Sequence, residues 1–148
     1  MKQEQYPISS KRQADIYEFV SEGTHGSIRK RIEYRPIDES NIIFNLSFVD
    51  VDPVTDEISD TVVTNNGDSM KVLATVAATT VDFTNRHPDA LIFATGSTPA
   101  RTRLYRIGIT NNFKEIEQYF TVYGLASEGW ELFKAGNDYE GFIIKRNQ

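Results

Sequence analysis

Three features of the sequence predict an α+β fold with a mainly antiparallel sheet around a central helix–strand–helix segment. The first 60 or so residues carry short runs of alternating apolar and polar residues separated by turn chemistry. From "NNGD" onward the apolar period changes to the helical one, and it stays helical up to "NRHPD". The last part returns to short strand-like runs broken by "SEG" and "AGND". No repeat, low-complexity segment or linker divides the 148 residues, so a single domain over 1–148 is expected.

The elements follow in order. Residues 1–12 read as a loose N-terminal arm, with Tyr6 and Ile8 as its docking side chains. "DIYEFVSEG" reads as a strand with Tyr17 and Phe19 on one face, and "GSIRKRIEYR" as a second. In that second strand Ile28, Ile32 and Tyr34 alternate with Arg29, Arg31, Glu33 and Arg35. The glycines of "EGTHG" join the two as a hairpin. "NIIFNLSFVDV" is a third strand with Ile42, Phe44, Leu46 and Phe48 inward, "DPVTDE" a turn, and "ISDTVVTN" a fourth strand or extended connection. A helix then starts at an Asp68 or Ser69 cap, runs an inward stripe of Val72, Leu73, Val76, Thr80 and Phe83, and stops before Pro88. "ALIFATG" is almost wholly apolar and so belongs in the middle of the sheet. Thr98 as N-cap and Pro99 at the first helical position open a second helix, with Gly108 as its expected stop. "NNFKEIEQYF" gives a short third helix, and "FTVYGLA", "WELFK" and "YEGFIIKR" the closing strands.

Composition narrows the function. Apolar residues at 39% and aromatics at 11% build a core and argue against disorder. A formal charge of −5 gives no general attraction to nucleic acid or to an anionic membrane. The absence of cysteine excludes disulfides, thiolate nucleophiles and thiolate metal sites. No apolar run approaches the ~20 residues of a membrane span, and "MKQEQYPISSKRQ" lacks the apolar stretch of a signal peptide. A cytoplasmic protein is the expectation.

One stretch invites a ligand. In "ATGSTPARTRLYRIG", Gly96 and Ser97 can bring backbone amides close to a bound group, and Thr98 adds a hydroxyl. The helix start adds unpaired N–H donors and the positive end of its dipole. Arg101 sits in the first turn, where a cation opposes the dipole unless an anion is present. Tyr105 and Arg106 lie about a turn further on, whereas Arg103 is expected to point elsewhere. Gly96, Ser97, Thr98, Arg101, Tyr105 and Arg106 are therefore the candidate anion site, set against the simpler reading of a well-capped surface helix. No Gly-Lys-Ser/Thr follows, so this is not a nucleotide-phosphate loop.

Other clusters point to less. Arg29, Lys30, Arg31 and Arg35 offer a basic strand, but the acidic balance makes nucleic acid an unlikely partner. Asp50, Asp52, Asp56 and Glu57 suggest calcium, yet Val54 and Thr55 stand where a binding loop needs a ligand and a glycine. His25 and His87 have no metal-spaced companion, and no Gly-x-Ser-x-Gly elbow occurs. Trp130 and Tyr139 read as core or edge packing. No metal and no cofactor are expected.

"NNGDSMKVLATVAATTVDF" followed by "ATGSTPARTRLYRIGI" resembles a family of small uncharacterised bacterial proteins, a domain of unknown function. That resemblance implies a stand-alone bacterial protein and brings no activity. A weaker likeness, in "LYRIGI", is to the acetyltransferase superfamily; its Arg/Gln-x-x-Gly-x-Gly/Ala turn is missing, which argues against coenzyme A. The leading reading is a non-enzymatic binding module for an anion, a phosphorylated ligand or an acidic partner protein. The alternatives are a small transferase-like enzyme using a phosphate-bearing cofactor, with Tyr105 as acid, and a structural partner of another protein.

Overall fold

The computed structural model describes residues 4–10, 15–52, 54–55, 58–59, 66–96 and 98–148. The fold is α+β, with a mainly antiparallel sheet and the expected helix–strand–helix centre. The strands are β1 (Ser9–Ser10), β2 (Ile16–Gly23), β3 (Gly26–Pro36), β4 (Ile43–Val51), β5 (Ile58–Ser59), β6 (Leu91–Ala94), β7 (Phe120–Ala126), β8 (Gly129–Leu132) and β9 (Phe142–Arg146). The helices are α1 (Ser69–Arg86), α2 (Pro99–Asn111) and α3 (Phe113–Ile116). Two compact units divide the chain: one contains residues 1–35 and 47–86, the other residues 36–46 and 87–148.

In the first unit β2 and β3 form the expected hairpin, in register from Ile16↔Glu33 to Gly23↔Gly26. Its two-residue turn needs a left-handed residue at its end, and Gly26 supplies it with φ 84°. Tyr17, Phe19, Ile32 and Tyr34 are buried as expected, with Tyr34 stacked on Phe83 of α1 at 4.3 Å. Over the described part of the arm, β1 pairs with β2, and buried Tyr6 docks by donating its amide to Thr75 Oγ1 and its hydroxyl to Asp68 Oδ2. Residues 1–3 and 11–12 of that arm lie outside the described residues. Lys30, grouped by sequence with the arginines, falls on the Ile32–Tyr34 face and is 1% exposed. The inner stripe of α1 is rich in hydroxyls, since Thr75, Thr79, Thr80 and Thr84 are buried while Leu73 is only half-buried. Each of these threonines donates to a carbonyl three or four residues back, which lets a hydroxyl face the core without a lost hydrogen bond.

β4 departs from simple alternation. Phe44 and Leu46 are buried as expected, but so are Val49 and Val51, while Phe48 is half-buried and Ile42 exposed. β5 pairs with the end of β4, and the remainder of "ISDTVVTN" lies outside the described residues.

In the second unit the strand order is β4, β6, β9, β7, β8. β6 is central: it runs parallel to β4 and antiparallel to β9. Val122, Phe133, Tyr139 and Phe142 form its core, and Tyr105 and Ile109 of α2 with Phe113 and Ile116 of α3 pack against them. α2 passes through Gly108, which is buried, and ends at Asn111 with Asn112 as its cap. The glycine there is an interior position of the helix rather than its stop.

Candidate functional site

The strand-to-helix turn after β6 closes largely on itself. Thr98 is the N-cap; its Oγ1 accepts from the Arg101 amide at 3.3 Å and its carbonyl from the Thr102 amide at 3.1 Å. The Gly96 amide, expected to be open to a ligand, donates to Thr102 Oγ1 at 3.0 Å. Gly96 packs so tightly on the first turn of α2 that a Cβ there would collide with the Thr102 amide and the Arg101 Cβ. Close backbone approach is thus needed, but by the helix itself.

A cleft of about 510 Å³ opens beside this turn. Gly96, Thr98 and Arg106 line it, as does Arg103, and Asp138 and Glu140 form another wall. Ser97 lies outside the described residues. Arg101 and Tyr105 are not in the lining. Helix geometry explains the division. Pro99, Thr102, Arg103 and Arg106 share one stripe of α2, whereas Arg101, Tyr105 and Ile109 share another, which turns toward the core. Burial raises the Tyr105 phenol above its ordinary pKa, and the nearby Arg101 charge only partly offsets this. A tyrosine so held is a poor proton donor at neutral pH. Arg106 is 20% exposed; its Nη1 is 3.5 Å from the carboxylate of Asp138, itself 97% exposed, and 3.4 Å from the Asn137 carbonyl. Both contacts are long for charge-assisted hydrogen bonds.

The other cationic cluster is paired. Arg29 and Arg31 both meet Glu18, at 3.1 and 2.6 Å, and Arg35 meets Glu33. Lys30 Nζ lies 2.6 Å from Asp50 Oδ1 and over the ring of Phe48. The basic strand is therefore an ion-paired surface on one face and a buried ion pair on the other.

In the acidic loop, Asp52 accepts the amides of Val54 and Thr55, which lowers its pKa and closes a turn. Asp56 and Glu57 lie outside the described residues, and no group of three metal-ligating side chains occurs among the described ones. His25 donates its amide to Asn66, and the ring of His87 packs on Phe44. Trp130 packs edge-on to Phe93 and Tyr139 is in the core.

Sequence reasoning missed Asn66. It is fully buried, its Oδ1 takes the His25 amide, its carbonyl takes the Thr24 amide, and its Nδ2 donates to the Gly26 carbonyl and to Ser21. Asp68, two residues on, accepts from both Tyr6 and Ser21. Asn66 and Asp68 therefore lock the β2–β3 turn to the start of α1, and the long-range partners that reveal this are invisible in a local reading.

Fold and site together define an α+β protein with an open cleft lined by Arg103 and Arg106, a second cleft of similar size beside Tyr6, Glu18 and Arg29, and no metal-ligating cluster among the described residues. The chain belongs to a family of unknown function (DUF6934), whose model matches residues 2–147. No curated protein and no solved structure matches it. Among the described residues no helix is long and apolar enough to cross a membrane.

Proposed function

We propose that this chain is a binding module that takes a small phosphate-bearing or otherwise anionic molecule into the cleft beside α2, with Arg103 and Arg106 as its cationic contacts. The observation that carries the reading is the convergence of two arginines and the Thr98 turn on one cleft. The weak pairing of Arg106 supports it: a phosphate can displace Asp138, which is almost wholly in solvent, with little loss. Asp138 and Glu140 across the cleft favour a ligand that also carries a donor or cationic group. Arg101, the first choice on sequence, becomes a neighbour of Tyr105 rather than a contact. The reading keeps the bacterial, cytoplasmic setting expected from the sequence.

The test is titration with inorganic phosphate and with a phosphorylated small molecule such as phosphoserine, followed by amide chemical shifts. Shifts are expected at residues 95–106 and 137–140. Arg106→Ala should weaken binding about 10- to 150-fold, since a charge-assisted bond contributes roughly 1.5–3 kcal/mol. Arg101→Ala should leave it within about twofold. An equal loss in both variants, or shifts elsewhere, would reject the cleft as the site.

A further inference from the structure

We infer that the free edge of β8, with the apolar sheet face beside it, is a docking strand for an extended peptide that places a basic residue between two apolar ones. This is independent of the cleft. β8 ends the strand order, and among the described residues no strand pairs with its outer edge. Just past its end the Phe133 amide donates to the Val122 carbonyl at 2.9 Å. With Glu131 opposite Gly124 and Gly129 opposite Ala126, residues 129, 131 and 133 turn their backbone groups toward β7. The amides and carbonyls of Trp130 and Leu132 therefore point outward, an open template for one more strand.

The side chains of the same two residues lie on the sheet face opposite α2 and α3. Trp130 is 44% and Leu132 59% exposed. Trp130 sits edge-on to Phe93 at 6.1 Å. Phe93, Ile143, Tyr123 and Leu132 are consecutive partners across four strands, so an apolar row crosses this face, and Phe93, Ile143 and Tyr123 are only half-buried. An exposed apolar row ending at an open edge is the arrangement that strand addition uses, main-chain bonds giving affinity and alternate side chains giving choice.

Charge selects the occupant. Glu131 projects to the other side of β8; its Oε2 accepts from Tyr139 and Asn137, and its Oε1 has no partner among the described residues. A second copy pairing antiparallel in the register that bonds Trp130 to Leu132 of its partner would set Glu131 against Glu131, and like charges directly opposite are unfavourable. A peptide that puts Lys or Arg opposite Glu131 and apolar residues opposite Trp130 and Leu132 completes the edge, widens the apolar row and pairs the carboxylate.

The probes are the acetylated, amidated peptide Thr-Val-Lys-Val-Thr, its Glu-for-Lys form, and the Lys form N-methylated at both valines. Trp130 is the only tryptophan, so its fluorescence reports directly, and hydrogen exchange reports the amides of Trp130 and Leu132. The Lys peptide at saturation should slow exchange at both amides at least tenfold and shift the Trp130 emission to the blue. The Glu peptide should bind about fivefold more weakly, and the N-methylated peptide should give no protection. Glu131→Gln, which keeps an acceptor for Tyr139, should abolish the fivefold preference. Four results would overturn the inference: no protection at millimolar Lys peptide; equal binding of the Lys and Glu forms; protection by the N-methylated peptide; or amides already protected in a free protein that sediments as a dimer, which would make a second copy the occupant.

Discussion

The two units are stabilised by different chemistry. In the first, polar groups are buried and satisfied: Lys30 with Asp50, Tyr17 with Asp82 and Arg86, Tyr34 with Thr79 and Thr80, and Asn66 with the hairpin turn. In the second, the core cluster is Val122 with Phe133, Tyr139 and Phe142, and the three rings pack at 5.5 to 6.2 Å. The contrast extends to the surface. The arginines of β3 pair closely with Glu18 and Glu33, and Arg29 does so at the wall of a cleft of its own, whereas Arg106 in the cleft beside α2 meets Asp138 only at 3.5 Å. Close pairing leaves the β3 arginines little to offer an anion, and long pairing leaves Arg106 available to one.

The contrast can be broken by mutation. Phe142→Ala removes a fully buried ring from the second core and should cost about 4 kcal/mol in urea unfolding. Asp50→Ala, in the first unit, should cost about 3 kcal/mol by taking the carboxylate from a buried ammonium. The two substitutions differ in how they are rescued. Lys30→Met combined with Asp50→Leu should recover most of the second loss, because an apolar pair of similar volume avoids the desolvation of two charges. Failure of that double variant to recover would mean the ion pair itself is indispensable. Gly96→Ala should cost about 2 kcal/mol, since the colliding atoms belong to backbone and to a Cβ and cannot swing away. A neutral result would show that the β6–α2 turn is looser than described.

The smallest effect is at alkaline pH. Burial, then the hydrogen bond to the Asp82 carboxylate, raises the Tyr17 phenol well above its ordinary value near 10. The folded state then holds its proton more tightly than the unfolded chain. Stability from this group is complete below the unfolded pKa and is lost as pH rises toward the folded one. Stability of the wild type should therefore fall above about pH 10 more steeply than that of Tyr17→Phe. Parallel curves would remove Tyr17 from the account.

Local chemistry was legible in the sequence and long-range pairing was not. The Thr98–Pro99 helix start, the β2–β3 hairpin and the central β6 each follow from a few adjacent residues. Lys30 falls on the inner face by the same alternation that buries Ile32 and Tyr34, but its partner, Asp50, is 20 residues away on another strand and does not show in a local reading. Ser9 and Ser10 carry no strand signal of their own and become β1 only by pairing with β2. Gly108 reads as a stop because a glycine at a helix end and a buried one inside a helix are the same letter. Arg101 stands out through its place in the first turn, although the helical period already sets Arg103 and Arg106, not Arg101, on the stripe of Pro99.

The most direct test of the central claim compares the two arginine clusters in one experiment. Amide shifts on phosphate titration would be recorded for the wild type, Arg106→Ala and Arg31→Ala. The account predicts shifts confined to residues 95–106 and 137–140, lost in Arg106→Ala and unchanged in Arg31→Ala. Shifts centred on residues 28–35, or a response that survives Arg106→Ala and disappears in Arg31→Ala, would contradict it.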